Sequence, residues 1–189
     1  MNYSPTVSGY VTVRNATQMK YPWTATVESM LGFCDEVVVV DGGSTDGTWE
    51  SLQQWSEKEE KLLIKKIEID PDSPSFAYES DGKLKAAARS LCTSEYCWQM
   101  DADEVVHEDD YDKVKNLVRS FPRYANIVSL PVIEYWGSSE KVRMDINPWK
   151  WRISRNLPNI TQGIPTALLK VDEDGFEYAS VGTDSCDYI

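Results

Sequence analysis

The sequence contains few of the residues that build metal cages or disulfide frameworks. It has four cysteines, none of them in a Cys-x-x-Cys pair, and a single histidine, His107. This ligand count argues against a zinc site. We expect the cysteines to be buried thiols, which is typical of a reducing compartment and predicts a cytoplasmic location.

Positive charge and long apolar runs are also scarce. The chain has 19 Lys and Arg against 31 Asp and Glu, a net charge of -12, and such a surface repels nucleic-acid polymers and anionic membranes. No apolar run approaches the roughly 20 residues that span a bilayer, and the N-terminus lacks a signal-peptide pattern. A phosphorylated small molecule is still compatible with this charge, because a divalent cation can bridge carboxylate and phosphate.

Two common nucleotide-binding motifs are missing. No Gly-x-Gly-x-x-Gly stands between a strand and a helix, and no Gly-x-x-x-x-Gly-Lys-Ser/Thr occurs anywhere. The first absence weakens a dinucleotide-binding interpretation, and the second excludes a P-loop.

The chain does contain an alternation of strand and helix patterns through residue 121. Glu36-Val37-Val38-Val39-Val40 is apolar without alternation, as in a strand buried on both faces. Further strands are predicted at residues 9–13, 62–69 and 96–100, with helical apolar spacing between them. The Pro-, Ser- and Asp-rich residues 70–82 are predicted to be a loop. This alternation predicts a mostly parallel sheet with helices on both faces.

After residue 121 the helical spacing disappears, and aromatic residues and strand-like stretches at 127–135 and 149–153 dominate. We therefore predict one domain, residues 1–189. Residues 1–121 form the ligand-binding half, and residues 122–189 form a smaller region on the same sheet. The abrupt end at Asp187-Tyr188-Ile189 suggests a piece of a longer protein.

Polar side chains follow three of the predicted strands, at Arg14-Asn15, at Asp41 and at Asp101-Ala102-Asp103. In an open parallel sheet, ligands bind outside the carboxyl ends of the strands. Asp46 suits the cap of the next helix, which leaves Asp41 for a ligand. The alternative for Asp41 is a turn or capping residue, and the alternative for the Asp-x-Asp pair is a solvated acidic loop.

A short Asp-x-Asp pair fits Mg²⁺ or Mn²⁺, which usually takes one or two carboxylates together with substrate phosphates. A calcium loop of the EF-hand type does not fit, because Val106 stands where that loop needs glycine. Arg89, or a nearby lysine such as Lys83 or Lys85, is a candidate donor to phosphate. The alternative is an exposed basic helix face.

Together these stretches resemble glycosyltransferase family 2, which has the Rossmann-like GT-A fold. Residues 37–48 resemble its Val-Asp-x-Gly-Ser-Thr-Asp-Gly-Thr motif, and residues 100–104 resemble its Asp-x-Asp motif. Ala87-Ala88-Arg89 resembles its Ala-Ala-Arg-Asn stretch, with Ser90 in place of asparagine. The order and spacing match over about residues 9–121.

The resemblance implies a metal-dependent, inverting transfer of a sugar from a UDP-, GDP- or TDP-sugar to a hydroxyl of a glycan, lipid or protein-linked acceptor. In the family the residue matching Asp41 contacts the base, and those matching Asp101 and Asp103 bind ribose and the Mn²⁺ or Mg²⁺ ion. Asn15 matches an asparagine that glutamate usually follows, where this chain has Ala16. The nucleotide-sugar-binding set implied is Val13, Arg14, Asn15, Asp41, Gly43, Arg89, Asp101, Ala102 and Asp103.

The attacking hydroxyl requires a carboxylate base. We favour Asp184, because the family usually places its base in this late region; Asp187, Glu134 and Asp145 are alternatives. His107 is a candidate third metal ligand or an ordinary loop histidine. The candidates for stacking on an acceptor sugar, or for ordinary packing, are Trp136, Trp149 and Trp151.

Two rival functions stay open. A nucleotidyltransferase that makes sugar nucleotides shares this architecture but needs a glycine-rich loop after the first strand, and Arg14-Asn15-Ala16-Thr17 has no glycine. A non-catalytic nucleotide-sugar-binding module would keep the fold without turnover, and the intact Asp-x-Asp pair argues against it.

Overall fold

The computed structural model describes residues 4–70, 72, 76–162, 168–171 and 177–179, with only the backbone described for 76–79, 168–171 and 177–179. Four helices and nine strands lie in this part of the chain, with a short 3₁₀ helix at Glu108–Asp110. In chain order the elements are β1 (Val7–Val13), α1 (Trp23–Phe33), β2 (Glu36–Asp41), α2 (Thr48–Ser56), β3 (Leu62–Lys66), α3 (Phe76–Ser90), β4 (Tyr96–Gln99), α4 (Tyr111–Arg119), β5 (Ile127–Pro131), β6 (Trp149–Arg155), β7 (Ile160–Gln162), β8 (Leu168–Val171) and β9 (Glu177–Ala179).

Six strands form one sheet in the order β3-β2-β1-β4-β6-β5. The first four are mutually parallel, and β6 runs antiparallel to both β4 and β5. The chain therefore moves outward from β1 to β3 and then returns to the other side of β1. The strand order reverses between β1 and β4. The strands β7, β8 and β9 form a separate antiparallel sheet.

The valine run of β2 shows why helices cover both faces of this sheet. Alternate side chains of a strand point to opposite faces. Val37 and Val39 belong to the core shared with α1 and α4, whereas Val38 and Val40 pack with Leu84 and Ala88 of α3. All four valines are fully buried. The fold class predicted from the sequence is confirmed.

Three predicted boundaries differ most from the structure. The helix α3 begins at Phe76, inside the predicted loop 70–82, because the Pro- and Ser-rich stretch ends at Ser75 and Gly82 is accommodated within the helix. The strand β3 ends at Lys66 and β5 at Pro131, earlier than predicted. In both strands, the apolar residues that extended the prediction lie in the irregular segment after the strand.

We call residues 132–148, between β5 and β6, the hairpin segment. It folds back on itself through a bridge between Tyr135 and Val142, and the amide of Trp136 donates to the carbonyl of Lys141 at 2.9 Å. Gly137 turns the chain with a φ of 72°. The strand β6 is antiparallel to both β4 and β5, so β5 runs parallel to β4. The segment therefore leaves the sheet at the carboxyl ends of the parallel strands β1, β2 and β4.

Every helix in the part of the chain that the structure describes is too short or too polar to cross a membrane.

Candidate functional site

The candidate site lies at the carboxyl ends of β2, β1 and β4. Val13 pairs with Asp41, and Tyr10 pairs with Gln99, so Asp101 follows β4 close to the level of the other two strand ends. Neighbouring strands are about 4.8 Å apart, which places the three ends within about 10 Å. The strand order reverses between β1 and β4, and this is the position at which ligands bind in open α/β sheets.

The carboxylate of Asp41 organises the turn after β2. Its Oδ1 atom accepts hydrogen bonds from the amides of Gly43 and Ser44 at 2.9 and 2.7 Å. Gly43 has a φ of 85°, and a Cβ atom there would lie 2.6 Å from Oε2 of Glu68. Asp41 is fully buried, and its Oδ2 atom has no partner in the described residues. An unpaired buried acceptor costs free energy that a ligand N–H could recover.

Arg14 and Asn15 lock the end of β1 to the same turn. The amide of Asn15 donates to Oγ of Ser44 at 2.8 Å, and its Oδ1 atom accepts from the amide of Thr45 at 2.9 Å. Arg14 donates from Nε to the carbonyl of Gly42 at 3.0 Å. The side chain of Asn15 thus contributes to the shape of the site.

Asp101 is paired with the buried ammonium group of Lys85. The Nζ atom lies 2.5 Å from Oδ1 of Asp101 and 3.0 Å from Oδ2 of Asp81. Burial alone would lower the pKa of Lys85, but Asp101 and Asp81 raise it above its usual range. Burial would likewise raise the pKa of Asp101, but Lys85 and, to a smaller extent, Arg152 hold it below its usual range. Asp101 is therefore ionised at neutral pH.

Arg152 of β6 supplies a second buried cation. Its Nη2 atom lies 3.4 Å from Oδ2 of Asp101 and also contacts Glu104, while its Nη1 atom donates to Oε1 of Gln99. Burial raises the pKa of Glu104, although Arg152 opposes this shift. The pairing of β6 with β4 is what brings this guanidinium to the Asp-x-Asp turn.

Asp103 differs from Asp101 because it is exposed and has no hydrogen-bond or ion-pair partner in the described residues. The amide of Glu104 donates to the carbonyl of Asp101 at 3.1 Å and closes the turn that carries Ala102 and Asp103. No three His, Cys, Asp or Glu side chains in the described part of the chain are grouped to hold a metal ion. The residues present therefore fit a metal shared with phosphate oxygens, but not a preformed protein cage.

His107, the candidate third metal ligand, interacts with its own loop. Its Nδ1 atom accepts from the amide of Asp109 at 3.2 Å, at the start of the 3₁₀ helix. The side chain is mostly exposed. This contact matches the alternative of an ordinary loop histidine.

Arg89 has partners other than the predicted phosphate contact. The side chain is buried and donates from Nε to the carbonyl of Ile160, from Nη1 to Oγ of Ser154 and from Nη2 to the carbonyl of Arg155, at 2.8–2.9 Å. It joins α3 to β6 and β7. Lys85, one helical turn earlier, is the basic residue of α3 that contacts Asp101.

The residues predicted for the acceptor side have different outcomes. Asp184 and Asp187 lie outside the described residues. Glu134 and Asp145 both pair with Arg143, at 3.3 and 3.0 Å. Among the tryptophans, Trp136 of the hairpin segment is exposed. In β6, Trp151 packs against Ile127 and Ile160, and Trp149 is partly buried.

Comparison with known proteins identifies the family. The model of Glycosyl transferase family 2 matches residues 24–168, more than half of the chain. The chain belongs to glycosyltransferase family 2. A search of curated proteins finds no significant match to this family 2 chain.

Solved structures agree on the GT-A fold. S. aureus TarS (1–349) in complex with UDP-GlcNAc is 18% identical with a TM-score of 0.59, and the alignment covers 85% of this chain and 49% of that one. The mannosyltransferase PcManGT from Pyrobaculum calidifontis, in complex with GDP-Man and Mn²⁺, is 23% identical with a TM-score of 0.51, covering 69% and 36%. This chain spans less than half the length of either, and at these identities the likeness shows the fold alone.

Proposed function

We propose that this family 2 chain transfers a sugar, with inversion, from a nucleoside-diphosphate sugar to a hydroxyl acceptor, with the help of Mn²⁺ or Mg²⁺. The observation that carries the proposal is the set of side chains gathered at the carboxyl ends of β2, β1 and β4. Asp41 is a buried carboxylate with one unpaired oxygen, which suits a donor group of the nucleotide base. Lys85 and Arg152 are buried cations beside Asp101 and suit the diphosphate. The carboxylate of Asp103 is free of partners in the described residues and suits the metal ion.

Asp41 is the proposed base-binding residue. Uracil, thymine and guanine each carry a ring N–H, and Oδ2 of Asp41 is an acceptor that lacks a donor. Its Oδ1 atom is held by two backbone amides, so the carboxylate is already oriented. The structures with UDP-GlcNAc and with GDP-Man support a donor of this class.

Asp101 and Asp103 would hold the metal ion, with Asp103 as the freer ligand. When bound, the ion would act as a Lewis acid and neutralise charge on the leaving diphosphate. Lys85 and Arg152 keep Asp101 ionised and fixed in position. Their charges also offset the repulsion between an acidic chain and a diphosphate.

Asp184 stays the proposed base for the acceptor hydroxyl, with Asp187 as the alternative. Glu134 and Asp145 suit this role less well, because both are ion-paired with Arg143, whose hydrogen bond lowers the pKa of Asp145. An Asp184→Asn variant is expected to bind the donor normally and to lose turnover. Turnover near the wild-type level would remove Asp184 from the role.

A thermal-shift panel tests the proposal directly. A ligand at 100 times its Kd stabilises the folded state by about 2.7 kcal/mol, which corresponds to roughly 5–10 °C in a chain of this size. We expect one nucleoside diphosphate to give such a shift only with Mn²⁺ or Mg²⁺. Asp103→Ala should abolish the shift, whereas Asp109→Ala, an exposed acid nearby, should keep it. If no nucleoside diphosphate or sugar nucleotide stabilises the protein, the proposal is wrong.

Turnover separates this function from its two rivals. Metal-dependent hydrolysis of a sugar nucleotide would exclude a non-catalytic module. Release of pyrophosphate from a nucleoside triphosphate and a sugar phosphate would instead indicate a nucleotidyltransferase. The cytoplasmic location stays a prediction.

A further inference from the structure

The hairpin segment concentrates exposed apolar surface. Of the eleven exposed large apolar side chains among the described residues, five lie in this segment. They are Ile133, Tyr135, Trp136, Val142 and Met144. Single exposed apolar residues are ordinary on protein surfaces, but a contiguous group of them marks an interaction site.

Trp136 is the centre of this group, and its ring is held in place. The guanidinium of Arg143 lies over the indole, 5.2 Å from the ring centroid. Glu134 and Asp145 fix Arg143 from two sides, and the amide of Arg143 donates to the carbonyl of Glu134 at 2.8 Å. Trp136 is nevertheless 65% exposed. One face of the ring therefore lies against an ion-paired cation, and most of the residue is accessible to solvent.

An open surface groove of about 780 Å³ adjoins this ring and has room for a saccharide ring. It is lined by Trp136, Lys141, Val142, Arg143, Met144 and Asp145. A saccharide ring has an apolar C–H face and a rim of hydroxyls. The indole suits the face, while carboxylate and guanidinium groups accept from and donate to hydroxyls.

The position of the groove in the chain relates it to the proposed reaction. The hairpin segment leaves the sheet at the carboxyl ends of the parallel strands, where the Asp-x-Asp turn lies. The strand β6 begins directly after the segment. Arg152 of β6 contacts both Asp101 and Glu104. The segment that lines the groove is thus followed directly in the chain by β6, the strand that carries Arg152 to the candidate site.

We propose that the hairpin segment is an acceptor subsite in which Trp136 stacks on a ring of an uncharged saccharide. This inference rests on the proposed function for the identity of the ligand as an acceptor. The segment carries three carboxylates and two cations, which favours a neutral saccharide over an anionic chain. The net charge of -12 disfavours an anionic membrane surface.

The test measures saccharide binding to the purified chain by saturation-transfer NMR, with neutral methyl glycosides and disaccharides as probes. The variants are Trp136→Ala, Trp136→Phe and, as a matched control, Tyr124→Ala. Tyr124 is 67% exposed and precedes β5, at the amino end of that strand, whereas the hairpin segment follows its carboxyl end. Because both aromatic residues are exposed, all three variants are expected to fold.

We expect at least one saccharide to bind the wild-type chain and to bind Trp136→Ala about tenfold more weakly. Trp136→Phe should retain part of the affinity, and Tyr124→Ala all of it. Saccharide binding that ignores Trp136, or no saccharide binding, would overturn the inference. Binding of phosphatidylcholine vesicles or self-association that depends on Trp136, in place of saccharide binding, would also overturn it.

The thermal-shift response to nucleoside diphosphates is measured on the same variants and should not change. If the wild-type chain shows no thermal shift with any nucleoside diphosphate, the proposed function is contradicted. Saccharide binding that depends on Trp136 would still support the subsite in that case. The two ideas therefore fail separately.

Discussion

Replacing Arg89 with methionine is expected to lower the free energy of unfolding by about 3 kcal/mol. Methionine keeps an apolar stem but leaves the carbonyls of Ile160 and Arg155 and the hydroxyl of Ser154 without their donor. Three hydrogen bonds from a charged group contribute roughly 1.5 kcal/mol each at the lower end of the usual range. Relief of the cost of burying the guanidinium offsets part of that sum.

Urea unfolding followed by circular dichroism measures this change, and the melting temperature should fall by about 6–12 °C. Arg119→Met is the matched control, because Arg119 is exposed and hydrogen-bonds to Asn116 within the same helix. That variant should stay within about 0.5 kcal/mol of the wild type. If Arg89→Met loses less than about 1 kcal/mol but no longer binds nucleotide, the guanidinium serves a ligand and the structural account is refuted.

Three further predictions concern the rim of the site. Asp41→Asn keeps an oxygen for the amides of Gly43 and Ser44 and should stay folded, yet abolish the nucleotide-induced thermal shift, because it puts an N–H donor where Oδ2 is the proposed acceptor; an unchanged shift would exclude base contact. Gly43→Ala and Gly47→Ala both force alanine to positive φ, at a cost of about 1 kcal/mol. The new Cβ at 43 meets only the tip of the exposed Glu68 side chain, which can move aside, so both variants should unfold at lower urea by similar amounts, and a much lower midpoint for Gly43→Ala would contradict this account. Lys85→Met should be less stable than the wild type by a constant amount between about pH 5 and 9. The ion pair lowers the pKa of Asp101 and raises that of Lys85. The stability difference between variant and wild type should therefore shrink below about pH 4, as Asp101 becomes protonated. Urea midpoints measured across this pH range test the prediction, and a difference that stays constant would contradict it.

The parts of the fold that local pattern determines were predictable. The valine run of β2 and the strand before Asp101 are short apolar stretches that end in polar residues, and parallel pairing brings such ends together. The start of α3 was misjudged because the Pro- and Ser-rich stretch before it dominates the local signal. The family follows from the same motifs, which the match over residues 24–168 confirms.

The electrostatics of the site were less accessible from sequence. Whether Lys85 or Arg89 faces the carboxylates depends on the orientation of α3 against the sheet, and both residues fit a basic helix face. Arg152 was missed because its place beside Asp101 comes from the pairing of β6 with β4, between residues about fifty positions apart in the chain. Only the alternation of basic and apolar residues in Trp149-Lys150-Trp151-Arg152-Ile153 gave a signal, and it did not indicate the partner.

The antiparallel insertion of β6 beside β4 has a consequence for dissecting the protein. A fragment that stops at residue 121 would contain β1 to β4 and the Asp-x-Asp turn, but β4 would become an unprotected border of the sheet with free amides and carbonyls. Such borders recruit other chains and promote aggregation. Asp101 and Glu104 would also lose the guanidinium that neutralises them. We therefore predict that the two halves distinguished in the sequence do not fold separately, and that recombinant work requires both.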